Sequence, residues 1–184
     1  GDLHLSLRRQ RQMCIRDRTQ EALMGSNQQM LAFLNHLLEL IQERVMYTQR
    51  HVGPAWTAGR TLRERIGSCR DLAMLMVACC RVAGLPARFV SGYQLQQPAP
   101  EQYDLHAWAE VYLPGAGWRG FDPSAGREVN DRYVVLATSS KPELTAAVSG
   151  TCSGPLNTDS ELSWTINAEE ESSKTAPQSL IQAA

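Results

Sequence analysis

The stretch from Gly67 to Pro86 constrains the fold more than any other part of the chain. Between Leu72 and Val82 a helix would be apolar on nearly every side, interrupted only by Arg81, with Gly67-Ser68 breaking the chain before Cys69 and Gly84-Leu85-Pro86 following. A glycine just past the last turn, with proline beyond it, is a helix stop. A helix apolar all round must be covered by other elements, so this one lies at the centre of a domain. At about 11 residues the apolar run is too short for a hydrocarbon core needing roughly 20, and the sequence offers no transmembrane segment.

The covering has to come from the flanking sequence. Within residues 27–44, Met30, Leu31, Leu34, Leu37, Leu38 and Ile41 recur at three- and four-residue spacing and Val45 continues the stripe, which predicts an amphipathic helix. His36, Glu39 and Glu43 fall on its opposite side, so His36 reads as a solvated residue rather than a ligand. Residues 48–59, with Gly53, Pro54 and Gly59, read as a loop, and 60–66 as a short helical turn. After the central helix the pattern changes to strands at 87–93, 106–113, 118–122, 133–137 and, weakly, 161–166. Helices followed by an antiparallel meander predict an α+β fold: one buried helix on a mostly antiparallel sheet. Residues 168–184, with Glu169-Glu170-Glu171, several serines and Pro177, read as a disordered tail, so residues 19–167 are expected to form the domain.

The first residues are set apart. Arg8 to Arg18, RRQRQMCIRDR, resembles translated library-adapter sequence fused to gene models built from short environmental reads, and residues 1–18 are therefore expected to be foreign to the protein. An ordinary basic arm is the alternative. The segment holds five arginines and two aspartates, a net +3, so a chain of net −1 leaves its body at −4. The native start is then expected to be lost, a cytoplasmic location being the default expectation, and an upstream domain to be missing. The near balance of 18 basic and 19 acidic residues gives no footprint for nucleic acid or an anionic membrane. Function has to come from a local site.

Cysteine is the residue type with the most to offer, and five are present. Cys14 lies in the segment set aside, and Cys152 in a Gly- and Ser-rich turn. Cys79 and Cys80 lie on the central helix roughly 15 Å from Cys69 at 1.5 Å per residue. A disulfide needs Cα atoms within about 7 Å, so neither pairs with Cys69, and both read as core residues. No pair has zinc-site spacing, and no metal is expected. Cys69 differs because Gly67-Ser68-Cys69-Arg70-Asp71 places its thiol on the first turn of a buried helix. The helix N-terminus favours negative charge there, and its free amides can hold a developing oxyanion.

A thiolate nucleophile needs an acid for the leaving group and a third group to orient that acid. His36 is on the wrong helix face and His51 reads as a surface loop residue, whereas His106 opens the strand His106-Ala107-Trp108-Ala109-Glu110-Val111-Tyr112-Leu113. The hairpin turn Pro114-Gly115-Ala116-Gly117 joins it to the strand ending at Asp122. If Tyr112 pairs with Trp118, Trp108 faces Asp122, and His106 lies diagonally on the same sheet face, taken to be the face toward the helix; the other loop parity puts Asp122 on the opposite face. Trp108, Trp118 and Tyr112 read as core, with substrate walls as the alternative. Arg88 and Arg132 read as surface or ion-pair residues.

The segments GSCRDLAMLMVACCRVAGLPARFVSGY and LHAWAEVYLPGAGWRGFDPS resemble the catalytic core of bacterial transglutaminase-like proteins of the cysteine-hydrolase type, over roughly residues 27–154. The resemblance implies a papain-like, transglutaminase-core fold. It also implies a catalytic Cys69 as nucleophile, His106 of the H-A-W segment and Asp122 of the D-P-S segment as its partners, and Asp71 as support for the nucleophile turn. Many bacterial members carry a β-rich domain before this core, and such a domain is expected to be missing from this sequence. The side chain completing the oxyanion hole is left open among Tyr47, Gln49 and Trp56. The activity implied is acyl transfer from an amide through a Cys thioester, as a peptidase, a deamidase or an amine transferase, on a protein or peptide substrate. No cofactor, calcium or other metal is implied for this chain. Arylamine acetyltransferases and peptide N-glycanases share the triad logic, but the residues around Cys69 are less like theirs. The alternative from another class is an idle binding or scaffolding module that keeps the fold.

Overall fold

The computed structural model describes residues 30–96, 100, 103–148 and, singly, 15, 17, 19 and 166. Expectations for Cys14, Cys152, the strand at 161–165 and the tail at 168–184 lie outside the described residues. Ile166 itself is not in a strand. Ile15, in the segment set aside, is partly buried against the core, and Thr19 is buried with its hydroxyl donating to the Ile15 carbonyl at 2.9 Å. Packing therefore reaches back to Ile15, before the expected start of the domain at residue 19.

Helix α1, Met30–Arg44, buries Phe33, Leu34, Leu37, Leu38, Leu40 and Ile41. The buried face is turned from the expected stripe: Leu31 is 53% exposed, while Phe33 and Leu40 are inside. Apolar residues flank the stripe on both sides, and periodicity alone does not say which flank packs. Two short strands follow around a helix: β1, Met46–Tyr47; α2, Ala58–Glu64; and β2, Ile66–Gly67, parallel to β1 with Tyr47 opposite Gly67. Arg65 ends α2 in a left-handed conformation with its amide bonded to the Thr61 carbonyl. Two-residue strands have no periodicity to read, and the sequence did not predict them.

The central helix α3, Cys69–Val82, buries Asp71, Leu72, Ala73, Leu75, Met76, Val77, Cys79 and Cys80. Past its end, Gly84 takes a φ of 82° and the Leu85 amide bonds the Cys80 carbonyl at 2.9 Å, a closure that needs a residue without a Cβ.

Strands β3 (Ala87–Gln94), β4 (His106–Leu113), β5 (Gly117–Asp122), β6 (Arg127–Glu128) and β7 (Tyr133–Ser139) form one antiparallel sheet in the order β6-β5-β4-β3-β7. The expected meander ends at β6; β7 crosses to the far edge beside β3. Local alternation marks strands but carries no information about their lateral order. Val129 lies over Gly120 as the chain turns back, close enough that a Cβ at 120 would come within 2.7 Å of it. Tyr112 pairs with Trp118. Of the two loop parities, this is the one that puts Asp122 in alternation with Trp108 and His106.

The alternation sorts the sheet into two faces. Ala109, Val111, Leu113 and Phe121 join the main core with α1 and α3, and Phe89 and Ala107 pack with Ala73 beside Cys69. Trp108 lies on the other face, clustered with Val90, Tyr133 and Val129. Among the described residues no helix is long and apolar enough to cross a membrane.

Candidate active site

Cys69 is the first residue of α3, and the turn holding it is built around Asp71. Asp71 is fully buried and accepts five hydrogen bonds: Arg50 Nη2 and the Trp56 amide on Oδ1, both at 2.7 Å, and Arg50 Nε (3.3 Å), the Ser68 amide (2.9 Å) and Ser68 Oγ (2.8 Å) on Oδ2. With Ser68 as N-cap this forms a capping box that fixes the residue immediately before the thiol. Burial pushes the carboxyl upward, but these donors outweigh it and hold Asp71 below its ordinary value. The support expected of Asp71 is therefore real. Arg50, its cationic partner, went unread in the sequence, because nothing in a loop of twelve or so residues marks which charge turns inward. Arg70 adds a second tie, with Nη2 donating to the Arg50 and Val52 carbonyls at 2.7 and 3.0 Å.

His106 opens β4 and Asp122 closes β5. The ring nitrogen Nε2 lies 2.7 Å from Asp122 Oδ2. The Cys69 thiol is the other hydrogen-bonding neighbour of the imidazole. The expectation that both side chains project from the helix-facing side of the sheet is corrected: they share the alternation of Trp108, and His106 meets Cys69 because it stands where the β3–β4 pairing ends, opposite Gly92. Burial alone would push the imidazole down; hydrogen bonds to Asp122 and Cys69 outweigh it and raise His106 to about 9. Asp122 is fully buried, and burial raises it, yet the bonds from His106, Ser124 and Tyr133 hold it below its ordinary value.

Asp122 is as fully bonded as Asp71. Its Oδ1 takes the Ser124 amide (2.9 Å), Ser124 Oγ (2.6 Å) and the Ala125 amide (3.2 Å), and its Oδ2 takes the Tyr133 hydroxyl at 2.8 Å besides His106. The sequence marks Tyr133 only as a strand residue; no spacing ties it to Asp122, since the contact depends on the crossover of β7.

Of the three side chains left open for an oxyanion, Tyr47 is the one whose phenol is pushed up in pKa by burial and then by the charges of Cys69 and Asp122. Gln49 Nε2 instead bonds Asp104 Oδ2 at 3.3 Å, and the Trp56 ring lies between the Arg50 and Arg60 guanidinium groups. A cavity of about 410 Å³ opens on Cys69 and His106. Residues 53–55 form one wall, Pro142, Glu143 and 145–147 another, and Phe89, Ser91 and Ala107 also line it. Trp108 is core, and Tyr112 and Trp118 stack edge to face on the exposed surface at 5.6 Å, so none of the three lines this cavity. Arg88 pairs with Glu110 at 2.6 Å, as an ion-pair reading requires. A larger hollow of about 590 Å³, beside Arg44, Met46, Leu62 and Arg65, includes none of these groups.

Known proteins resemble this chain in sequence and fold. The family model described as the transglutaminase-like superfamily matches residues 17–123. An uncharacterized protein of Mycobacterium tuberculosis is 39% identical over 85 residues, covering 41% of this chain and 27% of its own. A protein-glutamine gamma-glutamyltransferase of Pseudomonas aeruginosa is 40% identical over 67 residues, covering 33% and 10%. The chain thus spans about a quarter and a tenth of the length of these two relatives. The crystal structure of a candidate cysteine protease from Cytophaga hutchinsonii superposes with a TM-score of 0.57 at 28% identity, covering 73% of this chain and 45% of that one. The α+β architecture is of the papain-like, transglutaminase-core kind.

Proposed function

Because the chain belongs to the transglutaminase-like superfamily, we propose that it is a thiol enzyme acting on amide bonds of a protein or peptide substrate, with Cys69, His106 and Asp122 as its catalytic groups. The observation that carries this reading is the position of His106, which bonds Asp122 at 2.7 Å and neighbours the Cys69 thiol at the mouth of the cavity. Cys69 Sγ attacks the amide carbonyl carbon. The amides of the first turn of α3 and the Tyr47 phenol receive the oxyanion. His106 passes the thiol proton to the departing amine, the C–N bond breaks, and a thioester remains. Water or a second amine, deprotonated by His106, then attacks the thioester and frees the thiol. Asp122 holds the imidazole and offsets its positive charge. Water as acceptor gives a peptidase or deamidase, and an amine gives a cross-link. The Pseudomonas relative supports the second outcome and the Cytophaga structure the first.

The test is a screen of glutamine-containing peptides for ammonia release against backbone cleavage, with and without a primary amine, paired with intact-mass detection of the acyl-enzyme. A Cys69-dependent acyl adduct is the expected result. No adduct on Cys69 with any amide, and no turnover lost in Cys69→Ala, would leave an idle scaffolding module.

A further inference from the structure

We infer that Tyr133 is a positioning residue for the proposed site, acting through Asp122 on the proton held by His106. This inference rests on the assignment of Cys69, His106 and Asp122 as the reacting set.

The geometry carries it. Tyr133 pairs in register with Gln94, on the edge strand β7, and crosses the end of β4 to reach Asp122 on β5. Its ring is fixed edge-on against Trp108 at 5.3 Å and tilted over His106 at 6.0 Å. The close approach depends on Gly92 between them, since a Cβ there would lie 2.6 Å from Trp108 Cη2 and collide with the Val134 carbonyl. Gln94 Nε2 donates to the Tyr133 oxygen at 3.0 Å, and Arg127 on β6 is also a hydrogen-bonding neighbour of that oxygen. With its lone pairs occupied, the hydroxyl has its proton to give, and it gives it to Asp122 Oδ2 at 2.8 Å. That is the same oxygen His106 uses.

Two consequences follow from sharing one oxygen. The three bonds on Oδ1 and the tyrosine bond on Oδ2 fix the plane of the carboxylate, and with it the direction from which the imidazole is held. The tyrosine also draws off charge that would otherwise sit on Oδ2, which limits how strongly Asp122 stabilises the imidazolium. The charged and titratable groups facing this pair are His106 from β4, Arg127 from β6, Cys69 from α3 and Tyr47 from β1, with Ser124 and Gln94 as neutral partners. Of these only His106 shares Asp122 Oδ2 with the tyrosine.

The test uses the whole chain and two readouts that packing alone does not move: the pH profile of Cys69 alkylation by iodoacetamide, and the titration of His106 followed by NMR with labelled histidine. Tyr133→Phe keeps the ring and its stacking. It is expected to raise the His106 midpoint and the matching alkaline inflection of the alkylation profile by about half a pH unit. Gln94→Leu, which removes a donor to the tyrosine oxygen and weakens its proton, is expected to shift both the same way by less. Profiles for both variants that overlay the unsubstituted protein, while Asp122→Asn and His106→Ala move it, would overturn the role of Tyr133 and leave the reacting set standing. Profiles that also ignore Asp122→Asn and His106→Ala would overturn the reacting set itself.

Discussion

Two aspartates, Asp71 and Asp122, are each fully buried and each accept five hydrogen bonds, yet their partners differ in kind. The partners of Asp71 are a guanidinium, two amides and one hydroxyl, so all but the hydroxyl can only donate. Asp122 has two amides as well, but His106, Tyr133 and Ser124 Oγ can each reverse their role. A carboxylate locked to permanent donors holds a turn in place, whereas one facing groups that lose and regain protons can take part in moving one.

The largest effects should fall on the Asp122 side. Cys69→Ala and His106→Ala should each lower turnover about 10⁴-fold or more, and the double variant no further, since these groups act as a unit. Asp122→Asn should cost about 10³- to 10⁴-fold by turning His106 to the wrong tautomer, with the thermal midpoint nearly unchanged because three partners can re-pair. Steady-state rates alongside thermal melts decide this, and a melt that collapses with Asp122→Asn would erase the distinction. At position 71 the roles should invert. Asp71→Asn presents an amide donor to donors and leaves Arg50 uncompensated, and denaturant titration should show a loss of about 3 kcal/mol. A stable Asp71→Asn protein that had lost only activity would mean the two sites are alike.

Tyr47→Phe is a smaller probe. Removing one oxyanion donor should lower kcat about 10- to 100-fold with KM little changed. An unchanged kcat would return the oxyanion to the backbone amides alone.

The smallest effect is in stability against pH. Asp71 and Asp122 lie below their ordinary value of 3.8, so their contribution is present above it and is lost as pH falls through their lowered folded values. His106 rises from 6.5 to about 9, so its contribution is complete below 6.5 and is lost as pH rises through 9. Denaturant midpoints measured across pH should therefore lose part of their acid limb with Asp71→Asn, and another part of it together with the alkaline limb with Asp122→Asn. An alkaline limb that survives Asp122→Asn would assign it elsewhere.

How far the sequence carried this comparison depends on how local each feature is. The start and stop of α3, the span of β4 and the alternation of Asp122 with His106 rest on patterns a few residues long, and the motifs around Cys69, His106 and Asp122 pointed to the family. The hairpin parity was legible only as a choice between two registers, settled by a three-residue loop, 114–116, with Gly115 in it and Gly117 just past it at φ of 82° and 74°. Arg50, Tyr133 and the edge position of β7 were not legible, because each depends on a contact between segments whose spacing encodes nothing. The orientation of His106 and Asp122 relative to α3 was misread for a related reason: pleat parity is local, but the point where a helix end meets a strand end is not.

The late arrival of β7 also orders events in time. Cys69 leaves the ribosome well before His106 and Asp122, and the wall of Pro142, Glu143 and 145–147 comes last of the described parts. At roughly 5–20 residues per second, the interval between nucleophile and final wall is about 4–15 s of synthesis. For about the first half of it the thiol lacks His106, and to its end the cleft lacks its last wall, so the cysteine is made before the proposed site around it is complete.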